Sequence, residues 1–292
     1  MSAPLLHIRE PIPAAVSEQA WGSKLAALEA WLAARGRVVV AYSGGVDSSV
    51  VLRVAHQVLG AGALGVIGRS DSYAGRELEL ALEQAASFGA RVEVVATGEL
   101  SNPSFRSNPS DRCYHCKTEL YRQLAVVAER EGAVVVDGTI ADDLSDWRPG
   151  RRAAQECQVQ SPLADLGLGK AEVRAIAAHY GLSSSSKAAS PCLASRIPYG
   201  TEITMENLSM VERAEEQLRS LGLVELRVRH HGDLARIEVP PAEFARLLEP
   251  ATRQGLVEGF KRLGYRYITL DLQGFRSGSL NEGLSEAGVK KS

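Results

Sequence analysis

Residues 38–49 read Val38-Val39-Val40-Ala41-Tyr42-Ser43-Gly44-Gly45-Val46-Asp47-Ser48-Ser49. The first five are apolar and rich in β-branched side chains, which suits a strand buried on both faces. A helical stretch follows from about Asp47 to Leu59. Between them, Gly44 and Gly45 let the backbone turn sharply and approach an anion closely. Successive N–H groups then face a phosphate at the N-terminus of a helix. Ser43, Ser48 and Ser49 can add hydroxyl donors. Asp47, itself an anion, suits a phosphate poorly but suits a magnesium ion shared with a pyrophosphate. No lysine closes the loop, so it is not a Walker A site. The plainer reading is an ordinary glycine turn capped by Asp47.

Outward from this stretch, strands and helices alternate. Glu18 to Ala34 reads as a helix, with Trp21, Leu25, Leu28, Trp31 and Leu32 close to the helical repeat. Leu64 to Ile67, Val92 to Val95 and Val134 to Val136 read as strands. Arg76 to Phe88 and a segment from Cys113 or Tyr114 to Glu131 read as helices. The expected fold is α/β, a parallel sheet with helices on both faces and right-handed crossovers. Ligands of such sheets bind beyond the carboxyl ends of the strands. The glycine loop, Ser70, the loop after Val95 and Asp137-Gly138-Thr139 therefore share one rim. Gly138, Thr139, Asp142 and Asp143 face either magnesium or a ribose, or form a solvated acidic loop.

After Gly150 the rhythm changes. A helix over Lys170 to Tyr180 and a serine-rich loop, Ser183 to Ser186, lead to Ser190-Pro191-Cys192-Leu193-Ala194-Ser195-Arg196. Beyond it are a helix (Met205 to Leu221), strands (Val224 to Arg229, Leu234 to Val239), a helical region (Ala242 to Leu263) and a last strand (Tyr267 to Leu272). The expected division is a flexible arm over 1–17, a larger α/β domain that carries the glycine loop over 18–189, and a smaller α+β module over 190–292.

The 292 residues are 45% hydrophobic and 23% charged, the balance of a globular protein. No run of 18 apolar residues suggests a membrane span. The first 17 residues do not read as a secretory signal. A cytoplasmic location is expected, with a homo-oligomer as the assembly. The net charge of −2 argues against a nucleic-acid partner, which draws much of its affinity from a basic face.

There are four cysteines, Cys113, Cys116, Cys157 and Cys192, and in the cytosol such thiols stay reduced. They are read as chemistry or metal ligands before disulfides. Cys113-Tyr114-His115-Cys116 is a CxxC. Cys192 stands in a loop with Arg196 nearby, which favours a thiolate. Three cysteines at one rim fit an iron–sulfur cluster with an open iron corner. A set of nucleophilic thiols, or a zinc site completed by His115 or Cys157, are the alternatives. The surroundings of Cys157 give it no ligand partner.

The loop resembles that of the PP-loop ATP pyrophosphatases, adenine nucleotide alpha hydrolase-like proteins that cleave ATP between the α and β phosphates. The whole chain resembles the LarE family of sulfur transferases of nickel-pincer nucleotide cofactor biosynthesis. The likeness rests on SGGVDSS, CYHCKTELY (113–121), DGTIADDLSDWRPG (137–150), SPCLASRIPYGTEIT (190–204), RVRHHGDLARIEV (227–239) and LDLQGFRSGSLNE (270–282). The resemblance implies adenylation of a carboxylate of a pyridinium dicarboxylate mononucleotide, then sulfur transfer to give a thiocarboxylate. ATP, Mg2+ and the mononucleotide are the implied ligands.

One branch of the family gives up the sulfur of its single active-site cysteine, at the position of Cys192. Another carries a 4Fe–4S cluster on three cysteines. The CxxC makes this chain resemble the cluster branch, with Cys113, Cys116 and Cys192 as ligands and Cys192 and Asp47 as catalytic residues. Arg196, Arg227 and Arg229, helped by Lys117, are candidates for the nucleotide phosphate, because the guanidinium fork fits it bidentately. For Arg227 and Arg229 the plainer reading is surface charge on alternate strand positions. Arg148 either reaches phosphate or braces its loop. The rivals to this assignment are sacrificial transfer from Cys192, a PP-loop tRNA thiolase, and a nucleotide-binding regulator without turnover.

Overall fold

A computed structural model describes residues 17–145, 149–187, 190–276 and 280. The expected arm, Arg148 and most of the RSGSLNE stretch lie outside the described residues. The chain divides into two compact units. The first holds the described residues up to Phe105 and from Pro109 to Ser190; the second holds Arg106–Asn108 and the described residues from Pro191 onward.

In the first unit, α1 (Glu18–Ala33), β1 (Val38–Ala41), α2 (Val46–Leu59), β2 (Ala63–Arg69), α3 (Gly75–Ser87) and β3 (Arg91–Ala96) follow in order. Then come a short α4 (Pro103–Arg106), α5 (Arg112–Glu131), β4 (Val134–Val136), α6 (Pro149–Glu156), α7 (Pro162–Asp165) and α8 (Lys170–His179). The four strands pair in parallel in the order β3-β2-β1-β4, with Val39 of β1 opposite Leu64 and Val135.

Alternation along β1 shows why the strand is apolar throughout. Val38 and Val40 join the core made with α1, α2 and α8, through Leu28, Val50 and Ile176. Val39 and Ala41 point the other way, into a core with α5 and α6 through Tyr121, Leu124 and Ala153. Side chains one apart on a strand face opposite sides, so a strand covered twice has no polar position to offer. Helix α6 is an element the sequence reading did not anticipate. It is short, and Ala153 and Ala154 alone supply its buried face.

The second unit carries α9 (Met205–Ser220), β5 (Arg227–His231), β6 (Leu234–Glu238), α10 (Phe244–Leu248), α11 (Pro250–Arg262) and β7 (Tyr267–Leu270). β6 pairs antiparallel with β5 and parallel with β7. Two sequence expectations are corrected here. The strand expected from Val224 starts at Arg227, because after Gly222 (φ +85°) the chain is irregular, with Leu223 and Leu226 buried and Val224 exposed. The helical region over 242–263 breaks at Glu249 (ψ 134°), since a residue before proline is pushed out of the helical conformation. Asn108, fully buried, belongs to this unit: its side-chain amide donates to the carbonyls of Ile197, Pro198 and Thr201. No described helix is long and apolar enough to cross a membrane.

Candidate active site

The glycine loop sits where β1 ends and α2 begins, at the carboxyl edge of the sheet. Two glycines there have no substitute. Gly44 has φ +67°, and a Cβ on it would lie 2.6 Å from the Ala81 Cβ. A Cβ on Gly138 would lie 2.6 Å from the Ser48 nitrogen. The loop after β4 is thus pressed against the first turn of α2. This brings Asp137-Gly138-Thr139 beside Asp47 and Ser48, as strand adjacency implied.

The loop serines brace it. Ser48 Oγ accepts from the Ser43 amide at 3.2 Å and shares a second bond with the Ser43 hydroxyl. Ser49 is fully buried, and its hydroxyl donates to the Gly45 carbonyl at 2.7 Å and accepts from Gln84. What Ser49 gives the loop is therefore shape, not a hydroxyl aimed at a ligand. Ser70 bonds Ser72 at 2.9 Å, and Ser72 donates to the buried carboxylate of Glu99.

Asp137 is buried and receives four donors: Tyr121 Oη, the Thr139 amide, Thr139 Oγ1 and Ser161 Oγ, all at 2.8–3.1 Å. Such a saturated carboxylate locks the loop that presents Gly138. Asp142 accepts from the Lys170 amide at 2.7 Å and so caps α8; Asp143 accepts from the Ile140 amide at 3.3 Å. Both aspartates accept from backbone amides; Asp143 is buried, whereas Asp142 stays exposed, as in the solvated loop considered above.

In front of the loop lies a cavity of about 140 Å3. A cavity of roughly 150 Å3 takes one benzene-sized guest, so this one has room for a pyrophosphate-sized group. Ser43, Gly45 and Asp47 form its floor, and Tyr73, whose hydroxyl donates to the Ser43 carbonyl at 3.0 Å, forms a wall. Two lysines complete the lining. Lys170 Nζ bonds both oxygens of Asp47, at 2.9 and 2.8 Å, and Lys187 Nζ bonds Glu77 Oε2 at 2.6 Å.

The sequence reading gave neither lysine a role in the site. One signal was available: Lys170 is the first residue of α8, where the positive end of the helix dipole disfavours a cation. A lysine placed there needs an anion, and Asp47 is that anion.

Cys113 and Cys116 lie in the first turn of α5, three residues apart and hence on one face. Cys113 is exposed and Cys116 half-buried, its sulfur 4.0 Å from Glu99 Oε1. Lys117, next in line, packs its ammonium 5.3 Å from the Tyr121 ring centre. The Tyr121 phenol raises the pKa of Lys117, and burial pushes that of Tyr121 up to about 12. Lys117 thus keeps its charge beside the CxxC. Cys157 is half-buried against the core behind α5 and α6. Among the described residues there is no group of three or more His, Cys, Asp or Glu side chains able to hold a metal, and the third cysteine of the sequence reading, Cys192, belongs to the other unit.

In the second unit Cys192 precedes a single turn, Leu193–Arg196. Arg196 Nη1 donates to the carbonyls of Pro191 (2.6 Å) and Cys192 (3.1 Å), and its fork grips both oxygens of Glu215. Arg229 donates to the Ser195 carbonyl at 2.8 Å and grips both oxygens of Glu238 at 3.0 Å. All four charged groups are buried. For Arg229 this corrects the surface-charge alternative.

Burial alone would raise the pKa of Glu215, but Arg196 outweighs it, and the carboxyl titrates below its ordinary value. Arg227 is different. Its guanidinium donates to the neighbouring Leu226 carbonyl and lies 5.0 Å from the Phe275 ring. Burial and nearby Arg196 push its pKa down to about 10. Glu215 and Glu238, which no spacing in the sequence singled out, fix the arginines that hold the Cys192 loop.

A parallel sheet covered on both faces, with a glycine loop feeding a helix at its carboxyl edge, places the first unit in the α/β class typified by the PP-loop proteins. No family model matches the chain. It is 40% identical over 270 residues to the pyridinium-3,5-bisthiocarboxylic acid mononucleotide synthase of Lactiplantibacillus plantarum, covering 91% of this chain and 96% of that one. It is 45% identical over 265 residues to an uncharacterized protein of Synechocystis sp. (90% and 99%) and 28% identical over 242 residues to one of Methanocaldococcus jannaschii (82% and 91%). The chain belongs to the LarE family, that of the pyridinium-3,5-bisthiocarboxylic acid mononucleotide synthase.

Proposed function

We propose that this chain is an AMP- and pyrophosphate-forming sulfurtransferase that acts on pyridinium-3,5-biscarboxylic acid mononucleotide. The observation that carries the reading is the 40% identity, spanning both units, to a relative named for the bisthiocarboxylic acid product. The glycine loop at the sheet edge, with its pyrophosphate-sized cavity, supports the ATP half of the reaction.

A carboxylate is a poor electrophile, because hydroxide or oxide would have to leave. Attack of the substrate carboxylate oxygen on the α phosphorus of ATP forms an acyl adenylate. The bond from Pα to the bridging oxygen breaks, and pyrophosphate leaves with the electron pair. A sulfur nucleophile then attacks the acyl carbon, and AMP departs with the carboxylate oxygen, leaving a thiocarboxylate and a proton.

The loop amides hold the phosphates, and Asp47 faces the cavity where a Mg2+ ligand is needed. The open carboxylate fits that metal once Lys170 turns to phosphate. Arg227 receives the mononucleotide phosphate, while Arg196 and Arg229 keep the Cys192 loop in shape.

For the sulfur donor, Cys113 and Cys116 offer two thiols on one helix face, and Cys192 is the third ligand of a 4Fe–4S cluster. Bound there, the cluster would supply sulfide at its open iron corner. Sacrifice of Cys192 itself is the second reading, favoured by the way Arg196 and Arg229 fix the backbone on either side of it.

One experiment separates these. Anaerobically prepared protein is incubated with Mg2+, ATP, the mononucleotide and sulfide. AMP and pyrophosphate are expected in equal amounts, alongside several thiocarboxylates per chain and an unchanged polypeptide mass. Release of ADP and phosphate would refute the adenylation. Iron-free protein that loses the elements of H2S at Cys192 would refute the cluster.

A further inference from the structure

We propose that Lys170 and Lys187 are the cations that bind the pyrophosphate end of the nucleotide, and that Asp47 and Glu77 position them for it. The inference rests on the adenylation reading and names residues that the glycine-loop motif does not contain.

The argument starts from charge. The cavity at the loop contains two lysines and two carboxylates, each lysine paired to one carboxylate. Two positive and two negative groups make the charged lining of the cavity neutral. A diphosphate brings several negative charges into a space of about 140 Å3. Backbone amides alone supply only partial charges. The chain lacks the P-loop lysine that meets this need elsewhere, and Lys170 and Lys187 are the cations that line this cavity.

Both pairs can exchange partners. The Lys170 and Asp47 side chains are 36% and 27% exposed, and those of Lys187 and Glu77 16% and 21%, so none of the four is sealed from the cavity. When Lys170 turns from Asp47 to a phosphate oxygen, it keeps an anionic partner, and Asp47 is released for a divalent cation on the same phosphates. A lysine suits this exchange, being a point charge on a flexible stem with three rotatable donors.

The backbone around each lysine is fixed, which makes the exchange a matter of side-chain rotation. Asp142 holds the amide of Lys170 at 2.7 Å, and Glu172 accepts from the Gly169 amide at 2.6 Å. On the other side, Gln84 donates to Ser49 in the loop helix and accepts from the Ser183 hydroxyl and the Ser184 amide, both at 2.8 Å. That segment runs directly into Lys187. Loop and lysines are thereby held in one frame.

The test is calorimetric titration of the full chain with inorganic pyrophosphate in Mg2+, and separately with AMP, which lacks the β and γ phosphates. Lys170→Gln should weaken pyrophosphate binding roughly ten- to a hundredfold, as expected for the loss of a charge-assisted contact. Its AMP affinity should stay within a factor of about two. Lys187→Gln should act in the same direction. Glu77→Gln frees Lys187 and removes a negative charge from the cavity, so it should tighten pyrophosphate binding about two- to fivefold. A purely structural role for Lys187 would not give that sign, and this variant keeps the test open if Lys170→Gln folds poorly.

Wild-type affinity for both ligands with pyrophosphate binding unaltered in Lys170→Gln and Glu77→Gln would overturn the lysine assignment alone. Wild-type protein that binds neither ligand would overturn it together with the adenylation reading.

Discussion

The two units treat ion pairs in opposite ways. In the first, Lys170–Asp47 and Lys187–Glu77 line an open cavity and remain partly exposed. In the second, Arg196–Glu215 and Arg229–Glu238 are buried, with side-chain exposures of 2% and 1%, and 7% and 1%. A buried pair must stay intact, because either member alone is an uncompensated charge in a poor solvent. A partly exposed pair can part at little cost, since water and a ligand replace the partner. The buried pairs are therefore scaffold for the Cys192 loop, and the exposed pairs are ligands in waiting.

The largest effect should follow from breaking the scaffold. Glu215 accepts from Arg196, Arg219 and the Val228 amide. Glu215→Gln leaves two guanidinium groups without their anion, and a loss of about 3–5 kcal/mol is expected, read by denaturant or thermal unfolding. The pH dependence follows from the same group. Its pKa is lower folded than unfolded, so its contribution is fully present above the ordinary carboxylate pKa and is lost as pH falls through the folded value. Wild-type stability should thus drop in acid, and the Gln variant should show a flatter profile over that range. Equal acid sensitivity would show that Glu215 is not the group responsible.

Next in size is Asp47→Ala. It should lower AMP and pyrophosphate formation by about a hundredfold or more, the scale of losing a metal ligand and its transition-state charge stabilisation. Its unfolding midpoint should hardly move. A variant that loses activity and fold together would place Asp47 among the scaffold groups and erase the contrast between the two units.

Much of the first unit was legible in sequence because its determinants are local. The Val38–Tyr42 run, Gly44 and the helix after Asp47 announce strand, turn and anion loop in consecutive residues, and parallel strand order then brings Gly138 alongside. What was hidden is what strand order does not specify. Lys170 and Lys187 reach the loop from more than a hundred residues away, and no spacing marks them, although a lysine opening α8 against the dipole was a clue.

The second unit was less legible for a related reason. Arg227 and Arg229 alternate correctly for one strand face, but alternation cannot tell a buried arginine from a surface one. That depends on Glu238, across the hairpin, and on Glu215, on a helix. Polar residues that pair inside a core read, one at a time, as surface residues.

The smallest expected effect is also the one that most sharpens the comparison. Lys170→Gln removes a bidentate ion pair that, by contact geometry alone, looks as good as Arg229–Glu238. Its partners are about one-third exposed, and an exposed pair contributes only about 0–1 kcal/mol. The apo variant should therefore unfold within about 1 kcal/mol of wild type. The difference should emerge only with ligand present. A ligand that binds the folded state alone stabilises it by RT ln(1 + [L]/Kd), about 2.7 kcal/mol at a hundred times Kd. At that concentration of Mg2+ and inorganic pyrophosphate, wild type should gain this amount. A variant with Kd raised tenfold would gain only about 1.4 kcal/mol by the same relation. Thermal unfolding with and without pyrophosphate measures both quantities in one series. If Lys170→Gln proves several kcal/mol less stable without ligand, the pair is scaffold after all, and the distinction drawn between the two units fails at its central example.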